Sequence, residues 1–475
     1  MATVGTPGEK ALADLPGDAV RSFESEFSGD VVLPAHPEYE RDRQVWNGMI
    51  DRYPAIVARC SGVADVVAAV DFAREHDLPL AVRGGGHNVA GTAVCDGGIV
   101  VDLAEMNGVR VGPGERTVHV EGGATLGDVD LETQRVGLAT PLGVVSETGV
   151  AGLTLNGGYG HLTREHGLAL DNLRSVEVVT ADGDVHTASD DRNADLFWGV
   201  RGSGGALGIV TTFEFALHEV GPEVCALFPW FHGDETVAGL ARFREWCSNS
   251  PREASALVFT ATVPELEEFP EDAWGEPALA FLGCYRGDPD DAADVYEPLF
   301  ETGEPIVDLG GPMAYVDLQS MLDEDFPDGM RYYWKSIYLE DLTDEVVDLV
   351  DRYAESAPSA LSTVDIWHLE GAASEVPRDG TAFWHRDKPY MLNFEANWEE
   401  PADDDRNVGW VREGIADAQE LSVASGRYGN FPGMNESPAT ALYGGNADRL
   451  VDLKTTYDPE NLFRGNGTIV PRDDR

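Results

Sequence analysis

The segment Arg83-Gly84-Gly85-Gly86-His87-Asn88 decides the fold, because it places three consecutive glycines between a short apolar run and a histidine. Glycines let the backbone approach a ligand closely and turn successive N–H groups toward one concavity, which suits a pyrophosphate. Taken alone, the segment is also compatible with a plain tight turn. The surrounding sequence must distinguish these two interpretations.

The sequence on both sides of this turn predicts alternating helix and strands. Apolar Val63, Val66, Val67 and Val70 recur at the spacing of one helix face, and Pro79 is expected to end that helix. Apolar, β-branched runs predict strands at residues 80–82, 98–103, 117–120, 173–180 and 209–217.

A nicotinamide-type dinucleotide loop is disfavoured by its context. Such a loop requires G-x-G-x-x-G between a strand and a helix. After His87 the chain reaches the predicted strand at residue 98 without any helical periodicity. A second glycine-rich segment, residues 201–208, leads into a strand, and its glycines miss the spacing. The glycines therefore hold a ligand in another manner.

The second half of the chain has a different character. Glycine density falls after residue 217, and residues 278–284, 332–339 and 390–398 are predicted strands separated by helices such as 345–355. A single core usually stops growing near ~250–300 residues, so a chain of 475 residues predicts two domains. We expect an antiparallel sheet covered by helices in the second domain.

The charge balance excludes some partners. Asp and Glu number 85 against 33 Lys and Arg, which gives a formal net charge of −52, and the only lysines are Lys10, Lys335, Lys388 and Lys454. Nucleic acid and anionic membrane surfaces would repel such a chain. The acidic composition is typical of a halophile, in which high salt screens the self-repulsion.

Other sequence features exclude further classes. No apolar run is long enough to span a membrane and no apolar targeting segment is seen, so we expect a cytoplasmic protein. Five scattered cysteines without Cys-x-x-Cys predict neither a disulfide framework nor a zinc site. His161 and His166 lack a third ligand pattern, and no metal is expected.

Five longer segments together resemble one family. These are VWNGMIDRYPAIVARCSGVADVVAAVDFAREHDLPLAVRGGGHNVAG (45–91), DGGIVVDLAEMNGV (96–109), NGGYGHLTREHGLALDNLRSVEVV (156–179), LFWGVRGSGGALGIVTTFEF (196–215) and YGGNADRLVDLKTTYDPENLFRGNGTI (443–469). They resemble the FAD-linked oxidases of the vanillyl-alcohol-oxidase type with a PCMH-type FAD-binding domain. Within that type they resemble the berberine-bridge-enzyme and 6-hydroxy-D-nicotine-oxidase group.

This resemblance implies a fold and a domain order. The expected fold is α+β, with a two-part FAD-binding domain at residues 1–217 whose PCMH-type core spans about 50–217. A substrate domain with an antiparallel sheet covered by helices follows at 218–414. Residues 415–475 are expected to return to the FAD-binding domain as a berberine-bridge-like tail.

The resemblance also implies the cofactor contacts. His87 is expected to form the covalent bond to the flavin. The pyrophosphate contacts are expected from the first loop, at Arg83, Gly84, Gly85, Gly86, Asn88 and Gly91. Backbone contacts are expected from Gly149, Gly152, Gly157, Gly158, Gly160 and Val210, with Tyr428 and Asn430 beside the isoalloxazine ring. Some members add a cysteinyl bond, but Val145 stands at that position here, so a single covalent link is predicted.

The candidate catalytic residues follow from the proton that the reaction must release. Tyr428 is the first choice for the base, and Lys335 is a candidate for the cation that would assist it, or else a strand lysine in an ordinary ion pair. Asn397 occupies the position at which some relatives carry a Glu. Glu395 lies two residues away on the same strand face and is either a stand-in base or a solvated rim residue.

The predicted function is oxidation of a small alcohol, sugar or amine by hydride transfer to covalently bound FAD. Oxygen is the expected electron acceptor. A dehydrogenase with another acceptor and a flavin-binding protein without activity are the alternatives. The sequence leaves the substrate and the oligomeric state open.

Overall fold

The computed structural model describes residues 5–112, 114–464 and 468–472. The strands are β1 (Asp30–Val32), β2 (Ile56–Arg59), β3 (Leu80–Arg83), β4 (Ile99–Asp102), β5 (Val109–Gly112), β6 (Thr117–Glu121), β7 (Leu138–Ala139), β8 (Leu173–Val179), β9 (Val185–Ser189), β10 (Ile209–Ala216), β11 (His218–Glu219), β12 (Glu223–Leu227), β13 (Pro229–His232), β14 (Ala254–Thr262), β15 (Pro277–Tyr285), β16 (Val307–Asp308), β17 (Gly311–Ala314), β18 (Arg331–Leu339), β19 (Thr363–His368), β20 (Tyr390–Trp398) and β21 (Ala424–Ser425).

The α-helices of the same residues alternate with these strands. They are α1 (Pro7–Asp14), α2 (Gly17–Glu26), α3 (Tyr39–Asp42), α4 (Val63–Glu75), α5 (Leu126–Gln134), α6 (Val150–Leu155), α7 (Thr163–His166), α8 (Ala194–Val200), α9 (Thr236–Cys247), α10 (Ala292–Phe300), α11 (Tyr315–Gln319), α12 (Asp344–Glu355), α13 (Ala372–Glu375), α14 (Asp404–Gln419), α15 (Ala439–Tyr443) and α16 (Ala447–Tyr457). None of the described helices is long and apolar enough to cross a bilayer.

The first sheet positions the glycine loop. Its strand order is β1-β2-β4-β3, with β2, β4 and β3 parallel and β1 antiparallel. Val66 and Val70 of α4 are fully buried in the core that the sheet residues Ile56 and Ile99 share. The predicted helix is confirmed, but it ends at Glu75, before Pro79, because Asp77 takes a left-handed φ of 51°.

The second sheet has the order β5-β6-β10-β8-β9 and is antiparallel throughout. The strands predicted at 117–120, 173–180 and 209–217 form its centre as β6, β8 and β10. Phe213 and Phe215 are fully buried in its core, which α5, α6 and α8 help to form. The glycine-rich segment between β7 and β8 lies over this layer.

The third sheet is large and antiparallel, in the order β16-β13-β15-β14-β19-β20-β18-β21, with β12 joining β15 to β17. Helices α9, α10, α12 and α14 cover one face and bury Phe243, Phe281 and Phe394. The opposite face turns toward the glycine loops. The fold is therefore α+β, as the sequence predicts.

The C-terminal segment contacts the first half of the chain. Phe463 forms an isolated parallel bridge with Leu80 at the free edge of β3, and α16 packs against α8. Lys454 is fully buried, and its Nζ donates to Asp458 Oδ2 at 2.6 Å and to the Ala206 and Phe463 carbonyls. The exact domain boundaries at 217 and 414 stay predictions, and residues 465–467 and 473–475 of the predicted tail lie outside the described residues.

Candidate active site

The two glycine loops meet at Gly85 and Gly149. A Cβ atom on Gly85 would lie 2.5 Å from the Gly149 nitrogen, and one on Gly149 would lie 2.3 Å from the Gly85 nitrogen. Any side chain at either position would therefore collide with the opposite backbone. This contact, at the N-terminus of α6, forms one end of a cavity of about 300 Å³.

The large sheet forms the other side of this cavity. The walls include Phe259 of β14, Trp367 of β19 and Met391 of β20. Of the residues predicted from the sequence, those that line the cavity are Gly85, His87, Asn88, Gly149, Gly152, Glu395, Asn397, Tyr428 and Asn430. Those that do not line it are Arg83, Gly84, Gly86, Gly91, Gly157, Gly158, Gly160, Val210 and Lys335.

His87 is held by aromatic stacking. Its imidazole lies on the Trp46 indole at a centroid distance of 4.0 Å, and Trp46 stacks in turn on Tyr332 at 3.7 Å. The indole N–H of Trp46 donates to the Phe326 carbonyl, which fixes the ring. Burial lowers the pKa of His87 to about 4, and its Nε2 has no hydrogen-bond partner among the described residues. The imidazole is therefore neutral at pH 7.

Arg83 stabilises the loop and does not offer its guanidinium to the cavity. Its Nη2 pairs with Asp102 Oδ2 at 2.6 Å, and its Nη1 donates to the Asp42 and Gln44 carbonyls. These bonds hold the guanidinium on the first sheet, and the predicted contact of the Arg83 turn with a pyrophosphate stays a prediction. Gly91 likewise packs against Ile50, where a Cβ would come within 2.5 Å.

The hydroxyl oxygen of Tyr428 accepts two hydrogen bonds. The Gly158 N–H donates to it at 3.1 Å and the Asn430 Nδ2 at 2.9 Å. These bonds favour a negative oxygen and lower the pKa of this phenol, but burial outweighs them and the pKa lies above its ordinary value. The Tyr428 N–H donates to Ser336 Oγ, which fixes the ring beside the large sheet.

Lys335 does not assist Tyr428. Its Nζ pairs with Glu436 Oε2 at 2.8 Å, in a group that also holds Tyr333 and Arg412. Side chains alternate along β18, so Trp334 and Ser336 face the cavity and Lys335 faces away. The structure thus selects the ordinary ion pair. The Tyr428 hydroxyl is contacted instead by the neutral donors of Asn430 and Gly158.

Glu395 is buried in the cavity wall, with 8% of its surface exposed, so the solvated rim position is wrong. Its neighbour is Asp365 of β19, which also lines the cavity and is 5% exposed. Burial, together with the charge of Asp365, raises the pKa of Glu395 well above its ordinary value. Burial raises the pKa of Asp365 to about 7.

Asn397 is engaged on both sides of its amide. Its Oδ1 accepts from Trp334 Nε1 at 2.6 Å and its Nδ2 donates to the Leu361 carbonyl at 2.9 Å. An amide with both ends bonded has no site for a proton at neutral pH. It therefore positions Trp334 against Trp46 and does not act as a base.

Comparison with known proteins identifies the family. Residues 54–189 match the family described as FAD binding domain, and residues 427–469 match that described as berberine and berberine like. An FAD-linked oxidoreductase of Dictyostelium discoideum is 30% identical over 459 residues, which cover 95% of this chain and 97% of the relative. The chain belongs to the FAD-linked oxidoreductases.

Further relatives of this FAD-linked oxidoreductase include characterised oxidases. The (R)-6-hydroxynicotine oxidase of Paenarthrobacter nicotinovorans is 30% identical over 94% of this chain and 97% of its own length. The crystal structure of 6-hydroxy-D-nicotine oxidase from Arthrobacter nicotinovorans superposes with a TM-score of 0.84 at 28% identity, covering 94% and 98% of the two chains. A xylooligosaccharide oxidase of Myceliophthora thermophila shares the fold, with a TM-score of 0.84 at 23% identity over 96% and 99%.

The residues of the oxidoreductase fit FAD. His87 lines the cavity that begins at the two glycine loops, and its Nε2 is buried without a hydrogen-bond partner among the described residues. Gly152 lines this cavity, and a Cβ there would meet no protein atom within 4 Å, which leaves room for a bound group. Val145, which the family resemblance places where some members carry the cysteinyl link, lines the cavity, and none of the five cysteines lies on the described lining.

Two functional candidates were missed from the sequence. Trp46 belongs to no recognisable motif. Its stacking on His87 becomes visible only in the folded structure, because the two residues are far apart in the sequence. Asp365 had a usable signal, because an acid stands between the apolar Val364 and Ile366 in a short strand. The described residues also bring Asp182, Asp184 and His186 together on an exposed turn, an arrangement that is common without a metal ion.

Proposed function

We propose that this oxidoreductase carries FAD through a single covalent bond to His87 and oxidises a C–H bond next to a hydroxyl or amino group. The observation that carries this proposal is the position of His87, whose imidazole lines the cavity beside two interlocked glycine loops and is stacked on Trp46. When bound there, FAD supplies the acceptor for the hydride.

The protein residues place the substrate and take the proton. The sheet wall of Phe259, Trp367 and Met391 excludes water from the substrate. Tyr428, as the phenolate, takes the proton that leaves the oxidised group and becomes a neutral phenol. The donors Gly158 and Asn430 stabilise the negative oxygen of the phenolate before that proton arrives. Burial keeps the pKa of this phenol above its ordinary value, so only the small fraction that has already lost its proton acts as the base.

Molecular oxygen is the electron acceptor in this proposal, since the relatives whose names state a substrate are called oxidases. The protein works in concentrated salt, which its net charge of −52 requires for a stable fold. The cytoplasmic location expected from the sequence stays a prediction.

The test begins with acid precipitation of the purified protein, followed by a visible spectrum of pellet and supernatant. A histidyl bond survives denaturation, so the flavin is expected in the pellet, and free FAD in the supernatant would contradict the covalent link. A panel of small alcohols, sugars and amines is then mixed with the protein without oxygen. Bleaching of the flavin followed by recovery and hydrogen peroxide on admitting air identifies an oxidase.

Two other outcomes of this test have a clear meaning. Bleaching that reverses with an artificial acceptor but not with air identifies a dehydrogenase. A flavin that no substrate bleaches, although dithionite does, contradicts the proposed catalytic function.

A further inference from the structure

Two carboxyl groups share one wall of the cavity. In the antiparallel pair β19–β20, Thr363 lies opposite Glu395, and Asp365 lies opposite Asn393. Asp365 and Glu395 are therefore diagonal neighbours on the same face, at a spacing of about 7–8 Å between backbone positions, which the side chains can span. A single ligand group between them contacts both.

These carboxyl groups lack the partners that buried acids normally have. Asp365 Oδ2 accepts from Asn393 Nδ2 and Trp367 Nε1, but its Oδ1 is buried without a partner. Glu395 makes no hydrogen bond to another described side chain, and neither acid forms an ion pair with a described Lys, Arg or His. Burying a carboxyl group without such partners is costly.

Several acids in the interior of this chain are paired with cations, whereas Asp65 and Asp130 are buried with neutral donors instead. Asp102 binds Arg83, Asp171 binds Arg386, and Asp458 binds Lys454. Asp365 and Glu395 differ from these acids in lining a cavity. The missing positive charge is therefore one that a ligand can supply.

The rest of the wall suits the body of an organic cation. Phe228, Trp230, Phe259 and Trp367 line the cavity beside the two carboxyl groups. Aromatic faces attract cations and also bury apolar carbon. A ligand with an ammonium group on an apolar or aromatic frame would place its charge at the two carboxyl groups and its carbon frame against the aromatic residues.

We propose that Asp365 and Glu395 form a cation subsite, and that the substrate of this oxidoreductase is a small amine whose ammonium group binds between them. This inference rests on the proposed function and deepens it by naming the substrate class. Asp365 accepts from Asn393, Asn393 lies opposite Ser336, and Ser336 accepts from the backbone N–H of Tyr428. The subsite and the proposed base therefore line one cavity.

The raised pKa values of Asp365 and Glu395 agree with a cation subsite. Burial raises both pKa values, and the charge of Asp365 raises that of Glu395 further, so the pair holds a proton at neutral pH when no cation is present. A bound ammonium ion favours the ionised form of both groups. The pair can thus stay buried in the empty protein and still bind a cation.

The experiment compares benzylamine with benzyl alcohol, which have the same frame and differ in charge. Calorimetric titration is done at 1 M KCl, where the screening length is about 3 Å, so that the general negative field contributes little. We expect benzylammonium to bind at least about tenfold more tightly, as for a charge-assisted hydrogen bond in a buried site. If a probe is oxidised, the concentration dependence of anaerobic flavin reduction supplies the same comparison.

The variants Glu395→Gln and Asp365→Asn keep the shape of each side chain and remove its charge. Each is expected to reduce the amine preference by about fivefold or more, and the double variant to abolish it. Asp130→Asn is the matched control. Asp130 is also a fully buried acid with a pKa raised to about 7 and an unpartnered oxygen, but it binds Gln319 outside the cavity.

Two results would overturn the cation subsite. One is equal or tighter binding of benzyl alcohol by the parent, a comparison that needs no variant to fold. The other is an amine preference that survives in the folded double variant. These failures differ from failure of the proposed function, because either can occur while an alcohol or sugar bleaches the flavin. The opposite result is also possible: the protein prefers the amine in binding, but no substrate bleaches its flavin. That result would support the cation subsite and contradict the proposed catalytic function.

Discussion

The imidazole of His87 lies flat on the indole of Trp46, with 4.0 Å between the ring centroids and 18° between the ring planes. Neither ring is free to rotate, because Tyr332 covers the other face of the indole and Phe326 accepts its N–H. The proposed site of flavin attachment is therefore oriented by packing before any ligand arrives.

Removing this support should slow attachment of the flavin without preventing it. An aromatic stack contributes about 0.5–1.5 kcal/mol, so Trp46→Ala is expected to attach FAD about 2–10-fold more slowly than the parent. The measurement is the fraction of flavin that stays in the acid pellet against time after FAD is added to apoprotein. Trp274→Ala, outside the cavity, should match the parent, and His87→Ala should leave all flavin in the supernatant. An unchanged rate for Trp46→Ala would contradict the orienting role.

Tyr428→Phe should lose most turnover while the flavin stays bound. The phenyl ring keeps its packing against Tyr159, but the oxygen that accepts from Gly158 and Asn430 is gone. Removing a general base costs about 10²–10⁴-fold in rate. The measurement is rapid-mixing flavin reduction by a working substrate without oxygen. A rate within about threefold of the parent would exclude Tyr428 as the base and direct attention to Glu395.

Asp130→Asn should change how stability depends on pH. Burial raises the pKa of Asp130 to about 7, so the folded state binds this proton more tightly than the unfolded state does. Its contribution to the free energy of unfolding is complete below the unfolded pKa of about 4 and is lost as pH rises through about 7.

The asparagine variant keeps a neutral group at every pH, and its amide can donate to Gln319 Oε1, which has no partner in the described structure. We expect it to be more stable than the parent by about 1–3 kcal/mol at pH 8 and nearly equal at pH 4. Denaturant unfolding at both values checks this in constant salt. The same pH dependence in both proteins would show that Asp130 is not the titrating group.

Low salt should unfold the protein. Five exposed acids crowd the loop between β14 and β15, at Glu265, Glu267, Glu268, Glu271 and Asp272. Their repulsion reaches about 10 Å at 0.1 M salt but only about 3 Å at 1 M. The melting temperature should therefore rise by well over about 10 °C between these concentrations, beyond the few degrees of a single interaction. Sucrose at equal osmolarity is the control, and an unchanged melting temperature in salt would contradict the halophilic interpretation.

The sequence predicts those parts of the molecule that depend on local chemistry. The valine spacing of α4 and the β-branched runs of β8 and β10 each specify an element on their own. The glycine turn before His87 can also be predicted locally. Close approach of its backbone to another group requires glycine, whichever residue lies opposite. That Gly149 is the residue opposite Gly85 could not be predicted from either loop.

Contacts across the large sheet could not be predicted in the same way. Asp365 and Asn393 are 28 residues apart, and their pairing depends on the register of β19 against β20. A shift of one residue would turn Asp365 and Glu395 away from the cavity. The direction of Lys335 depends on the same alternation in β18, which is why an ion pair with Glu436 replaces the expected contact with Tyr428.

The bridge between Phe463 and Leu80 has a consequence for the order of events during synthesis. The edge of β3, directly before the glycine turn, forms a bridge with Phe463, far later in the chain. Tyr428, which lines the cavity, also follows long after the glycine turn. A ribosome has thus passed residue 428 before the cavity has all its walls. Flavin attachment should accordingly be a post-translational step, and nascent chains stalled before residue 428 should emerge colourless even when FAD is abundant.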